Sequence, residues 1–140
     1  MDKFTIIIPV YNEAKNLKIL IPKIYRELKN KRFEIIVVDD NSNDMTSKVL
    51  KKFKKKNFYH LIRKDKRDLS KSCIMGFKKS KYNKIIVMDG DLQHKPSDIK
   101  KFLNIFDKFR PDIVVGTRDL FKDKKHNLNI FRLFASRILV

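Results

Sequence analysis

The chain has 140 residues, of which 42% are hydrophobic and 36% charged, with a formal net charge of +18. One globular domain is expected over residues 1–140, and a disordered chain is excluded. No apolar run approaches the roughly 20 residues that cross a bilayer, the opening "MDKFTIIIPVYNE" lacks the apolar core of a secretory signal, and the single cysteine, Cys73, leaves no disulfide framework or cysteine-based zinc site.

Short runs rich in Ile and Val alternate with helical patterns along the chain. "FTIIIPV" (4–10) predicts a first buried strand. Residues 16–29 follow with Leu17, Leu20, Ile21, Ile24 and Leu28 on one helical stripe, interrupted by Pro22, which predicts a kink or a separate first turn. "EIIVV" (34–38) is the second strand, and 46–55 a helix with Val49, Leu50 and Phe53 inward and Asn43 or Asp44 as its cap. "FYHLI" (58–62) is the third strand and 70–80 a helix carrying Cys73, Ile74 and Phe77. "KIIVM" (84–88) is the fourth strand, and 97–109 a helix with Ile99, Phe102, Leu103 and Phe106, opened by Pro96. "DIVVG" (112–116) is a fifth strand. This alternation predicts right-handed βαβ units in a three-layer α/β architecture with a mainly parallel sheet.

In such sheets ligands bind beyond the carboxyl ends of the strands. The first, second and fourth strands end in "PVYNE", "DDNS" and "DGDLQH", which brings Glu13, Asp39, Asp40, Asp89, Asp91, Gln93 and His94 to one edge. Crowded carboxylates repel unless a cation lies among them. Asp89 and Asp91 alternate about Gly90, and an oxygen-rich set suits Mg²⁺ or Mn²⁺ held against substrate phosphates. His60, His94 and His126 are read as ordinary surface or hydrogen-bonding histidines. There is no G-x-x-x-x-G-K-[ST] loop, no G-x-G-x-x-G fingerprint and no G-x-S-x-G elbow. Phosphates must then be met by metal and arginine, and Arg118, in "VVGTRD" after the fifth strand, is placed to do so. The positive charge, inflated by a lysine-rich composition, favours anionic lipid or phosphorylated substrates. No nucleic-acid-binding pattern accompanies it, so nucleic acid is not an expected partner.

"IIIPVYNEAKNL", "EIIVVDDNSNDMT", "DLSKSCIMGFKKSKYNKIIVMDGDLQHKPSDI" and "DIVVGTRD" together resemble family 2 glycosyltransferases of the GT-A fold, most of all the dolichol- and polyprenol-phosphate mannosyltransferases and their bacterial relatives. The likeness runs from Phe4 to about Ser136. It implies that Pro9, Tyr11, Glu13, Val38 and Asp40 line the nucleobase and ribose pocket, and that Asp89, Gly90 and Asp91 meet the nucleotide-sugar. Asp89, Asp91 and Gln93 would hold the metal on its diphosphate. Arg118 would sit at the reacting phosphates, making Asp91 and Arg118 the catalytic pair, and Arg132 and Ser136 would contact the acceptor phosphate. The implied reaction is inverting transfer of a hexose, mannose or glucose, from a GDP- or UDP-linked sugar to a polyprenyl phosphate. A phosphate acceptor is largely dianionic at neutral pH, its second pKa lying near ~6, so no dedicated base is required.

Relatives often carry Asp-Ala-Asp where this chain has Asp89-Gly90-Asp91, and Lys95 and Asp68 replace a frequent proline and a usual glycine. They also continue further, so the catalytic domain is expected to be truncated at its acceptor side. The apolar residues 128–140, with Arg132 and Arg137, are expected to form a helix that meets a membrane surface, an anchoring partner or the domain's own sheet. The expected location is cytoplasmic, peripheral at the cytoplasmic membrane face. A transferase of the same family acting on a polysaccharide or lipid A-type acceptor, or an inactive nucleotide-sugar-binding fragment, would share these motifs.

Overall fold

The computed structural model describes residues 3–116. The elements in chain order are β1 (Lys3–Val10), α1 (Ala14–Glu27), β2 (Arg32–Asp39), α2 (Thr46–Leu50), β3 (Phe58–Ile62), α3 (Leu69–Lys79), β4 (Ile85–Val87) and α4 (Asp98–Phe109). The four strands form one sheet in the order β3-β2-β1-β4, and each neighbouring pair is parallel. The α/β unit ends at Phe109.

Strand alternation divides the core in two. On one face Phe4, Ile6, Ile8 and Val10 of β1 and Phe33, Ile35 and Val37 of β2 meet α1 through Leu17, Leu20, Ile21 and Ile24, α2 through Val49 and Leu50, and α4 through Ile99 and Leu103. On the other, Ile7, Ile36 and Val38 meet Met75 of α3, with Leu61 and Ile85 beside them. These are the three layers expected, and the unbroken burial of β1 and β2 is what covering both faces of a parallel sheet demands. Among the described residues helix α3 alone covers its face, and it lies close to the sheet: a Cβ added at Gly76 would stand 2.5 Å from Cγ2 of Ile7.

Three expectations differ from the structure. Helix α1 runs through Pro22 without a separate first turn. The ring is on the exposed side, so the carbonyl it leaves unpaired is the one water can reach. Helix α2 stops at Leu50 rather than at residue 55. Its last turn tightens into three-residue bonds from Lys52 to Val49 and from Phe53 to Leu50, and the basic run 51–56 then sets like charges against continued winding. Phe53 still packs on the core and lies 5.3 Å from Phe58 between ring centroids. Residues 112–116 are not a strand, and Ile113 and Val115 are 78% and 76% exposed. An apolar run becomes a strand only where a neighbouring backbone pairs with it. The helix expected over 128–140 lies outside the described residues.

Gly76→Ala tests the close approach of α3. Helix propensity alone would favour alanine by about 1 kcal/mol, but the new methyl meets a fully buried Ile7. Overpacking should win, with a net loss of about 1–3 kcal/mol in urea unfolding. Ile7→Ala in the same chain should recover part of that loss in a double-mutant cycle.

Candidate functional site

Parallel pairing sets Val10 beside Asp39 and so levels the carboxyl ends of β1 and β2. The chain steps outward from β1 through β2 to β3, then crosses to the far side of β1 for β4. The direction of winding therefore reverses between β1 and β4, where doubly wound sheets open a crevice. Gly90 closes that crevice at its base: a Cβ there would lie 2.8 Å from Cγ1 of Val10 and 3.7 Å from Cγ of Glu13. Alanine at this position would require Val10 to move. The chain's glycine and its valine are therefore matched.

Asp39 and Asp40 follow each other at the end of β2 and face opposite sides of the sheet. Asp39 is fully buried. Its carboxylate accepts from the Ser42 amide at 2.9 Å and the Ser47 hydroxyl at 2.7 Å, and Nε2 of His60, which has no hydrogen-bond partner, lies 3.6 Å away. Burial pushes its pKa up, but the nearby His60 imidazole and the Ser42 and Ser47 donors outweigh that and hold it at about 2. The loop fixed in this way grips the start of α1. Ser42 accepts from the Asn12 amide, Asn12 from the Asn43 amide, and Thr46 from the Glu13 amide. Asn12 and Asn41 turn through positive φ, 58° and 59°, where asparagine is tolerated. The N-cap of α2 is Met45 rather than Asn43 or Asp44; Asp44, just before it, accepts from the Thr46 amide at 2.8 Å and from the Ala14 amide at 3.4 Å.

Asp40, 5% exposed, has both carboxylate oxygens occupied. One accepts from Nε of Arg63 at 2.8 Å, the other from the Asp68 amide at 2.7 Å. The segment between carries Lys64, Asp65, Lys66 and Arg67, which line a cleft of about 530 Å³ with Tyr11, Asp40 and Asn41. The guanidinium of Arg67 lies 4.6 Å above the Tyr11 ring. An aromatic ring, covered on one face by Arg67, thus stands among three basic side chains. Asp68 then starts α3. Its side chain accepts from the Lys71 amide at 3.0 Å, a bond that lowers its pKa. Its extended φ of −162° needs no glycine.

The "DGDLQH" loop follows β4. Asp91 accepts from the Gln93 amide at 2.9 Å, and Nδ1 of His94 accepts from the Asp89 amide at 3.2 Å. Nε2 of His94 lies 3.8 Å from Oδ2 of Asp89. Leu92 has φ 67°, a conformation that costs a branched residue on the order of 1 kcal/mol. Its side chain packs against the main core, which offsets that cost and fixes the turn between Asp91 and Gln93. The Cys73 thiol is pushed up in pKa by burial and then by the charge of Asp89, so it stays protonated. Among the described residues no three His, Cys, Asp or Glu side chains form a ready-made metal cage.

Of the residues singled out in the sequence, Tyr11 and Asp40 line the cleft, and Glu13 approaches Gly90. Glu13 also accepts from the Asn16 side chain at 2.6 Å. Pro9 and Val38 are buried in the sheet, paired in register, and can only back the cleft. Asp89 and Asp91 stand on the crevice loop with Gln93 exposed. Arg118, Arg132 and Ser136 lie outside the described residues. Sequence reasoning missed Arg63 and the cleft residues Lys64, Lys66 and Arg67. The available signal was their position at the carboxyl end of the third strand, the one ending passed over.

The domain is thus a parallel α/β sheet with an aromatic, cationic cleft and a paired-carboxylate loop at its carboxyl edge. The chain matches the model of glycosyl transferase family 2 over residues 5–136 and belongs to that family. It is 37% identical over 136 residues to the dolichol-phosphate mannosyltransferase of Pyrococcus furiosus, a match covering 96% of this chain and 38% of that protein. The chain thus spans about two fifths of that relative's length. Among solved structures it is similar to S. aureus TarS 1-349, with a TM-score of 0.67 and 20% identity over 87% of this chain and 40% of that one. It is also similar to a mannosyltransferase from Pyrobaculum calidifontis in complex with GDP-Man and Mn²⁺, with a TM-score of 0.60 and 22% identity over 68% and 29% of the two chains. These likenesses establish the GT-A fold.

The Asp39 network gives a pH dependence of defined sign. Its folded pKa of about 2 lies below the ordinary 3.8, so its contribution is complete above the ordinary value and lost as pH falls through about 2. The difference corresponds to about 2 kcal/mol. Urea unfolding of the parent and of Asp39→Asn, measured from pH 5.5 downward, should show the parent's advantage shrinking below about pH 4.

Proposed function

We propose that this chain is the nucleotide-sugar-binding part of a catalytic domain that transfers a hexose, mannose or glucose, from a GDP- or UDP-linked sugar to a polyprenyl phosphate, with inversion. The observation that carries the reading is that a family 2 domain has, at the same carboxyl edge of its sheet, the Tyr11 cleft and the Asp89-Gly90-Asp91 loop packed against Val10 and Glu13. The name of the Pyrococcus furiosus relative supports the lipid-phosphate acceptor.

Tyr11 is the floor for the base, and the three cations of the 64–67 loop attract the diphosphate. The hard oxygen donors of Asp89, Asp91 and Gln93 fit Mg²⁺ or Mn²⁺. Such ions complete their shell with water and substrate phosphates, so two protein carboxylates suffice. Bound there, the ion supplies charge stabilisation to the departing diphosphate. Arg118 adds a planar fork to the same phosphates, and Arg132 and Ser136 hold the acceptor. The acceptor dianion attacks the anomeric carbon from the face opposite the leaving group, so the chain need not remove a proton. A polyprenyl acceptor and a charge of +18 together favour peripheral contact with the cytoplasmic membrane face.

Thermal unfolding with GDP and UDP, each with Mn²⁺ or with chelator, tests the donor half. At ligand concentrations about 100-fold above Kd, stabilisation near 2.7 kcal/mol is expected with metal and much less with chelator. Asp91→Asn should lose the metal-dependent increment while keeping the apo melting temperature. Equal stabilisation with and without metal in the parent protein contradicts a metal-dependent donor site.

A further inference from the structure

We infer that Arg63, which does not line the cleft, is the positioning residue that holds the 64–67 loop over Tyr11 and so sets the affinity for the nucleotide. This rests on the transferase reading and assigns a residue that reading does not use. Arg63 follows β3 directly and is 3% exposed, a burial that a guanidinium tolerates only when its charge and donors are met. Its amide donates to the Asp39 carbonyl at 2.9 Å, fixing the start of the loop to the end of β2. Its Nε donates to Asp40 at 2.8 Å and its Nη2 to the Lys66 carbonyl at 2.5 Å. Asp40 completes the ring by accepting from the Asp68 amide at 2.7 Å.

The loop is thereby tied at its start, its middle and its end to one buried ion pair. Lys64, Asp65, Lys66 and Arg67 are themselves exposed, so packing does little to hold them. The second carboxylate near the guanidinium, Asp65, is 4.0 Å from Nη1 with an 81% exposed side chain, and screening leaves it little weight. Lysine cannot replace the fork. One ammonium on a flexible stem does not present two fixed donors to a carboxylate and a carbonyl that face it from different directions. The ion pair also occupies Asp40, so the cleft owes its shape to that carboxylate as well as its wall.

Titration calorimetry with GDP and UDP in the presence of Mn²⁺, on the parent, Arg63→Lys, Asp40→Asn and the double variant, tests this role alongside hydrogen exchange at the Asp68 amide. Arg63→Lys should weaken binding of the preferred nucleotide by roughly tenfold or more and speed exchange at Asp68, with the double variant little worse than either single one. Binding within about twofold of the parent in a folded Arg63→Lys protein overturns the role, as do losses that add in full. If Arg63→Lys does not fold, Asp40→Asn decides alone. Weaker binding with faster Asp68 exchange supports the lock, and weaker binding with unchanged exchange makes Asp40 a direct ligand contact and overturns it. Failure of the parent to bind either nucleotide overturns the transferase reading and this role together.

Discussion

Two consecutive carboxylates at the end of an interior strand govern the working edge of this domain. Because strand residues alternate, Asp39 and Asp40 project to opposite faces of the sheet, and each meets a different connection. Asp39 gathers Ser42 and Ser47 and, through Ser42, the turn that opens α1. Asp40 gathers Arg63 and the Asp68 amide, and with them the segment leading into α3. A buried carboxylate left unpaired would cost several kcal/mol, so neither loop can drift without exposing a charge to an apolar interior. The same requirement that satisfies the core therefore shapes the cleft.

The rest of the edge follows from topology. The winding reverses between β1 and β4, and glycine between Asp89 and Asp91 lets the chain after β4 pass close to Val10 without displacing it. Leu92 then turns the chain through an unfavourable φ while its side chain stays with the core. Strain at a functional loop is sustained by packing behind it. A cationic segment tied to β3 and an acidic loop tied to β4 thus flank the aromatic floor supplied by β1. This division of charge suits a ligand with an anionic diphosphate that bridges protein cations on one side and a metal on the other.

Much of this was legible in the sequence, for identifiable reasons. The Ile- and Val-rich runs at 4–10 and 34–38 became strands because covering both faces of a parallel sheet requires unbroken apolar segments, 84–88 joined them as a parallel neighbour, and the three acidic endings then had to share an edge. The run at 112–116 has the same composition but no strand, because pairing is a property of neighbours and not of the run itself. The basic stretch 51–56 hid the early end of α2, since it contains Phe53 at the right spacing while its charges work against the helix. Arg63 and the 64–67 loop looked like more of an abundant basic surface. Only the fold reveals that one of these basic residues, Arg63, is buried and that Lys64, Lys66 and Arg67 line a cleft with Tyr11. The contact between a Cβ at Gly90 and Val10 joins residues far apart in sequence and leaves no local mark.

Paramagnetic broadening of backbone amide signals by trace Mn²⁺, with nucleoside diphosphate bound, locates the metal without relying on turnover. The account predicts that broadening is strongest over Asp89–Gln93, reaches Glu13 across the crevice, and leaves the amino-terminal ends of β1, β2 and β3 sharp. Broadening centred on the exposed carboxylates of Asp44 or Asp65, or spread evenly over the surface, would contradict it.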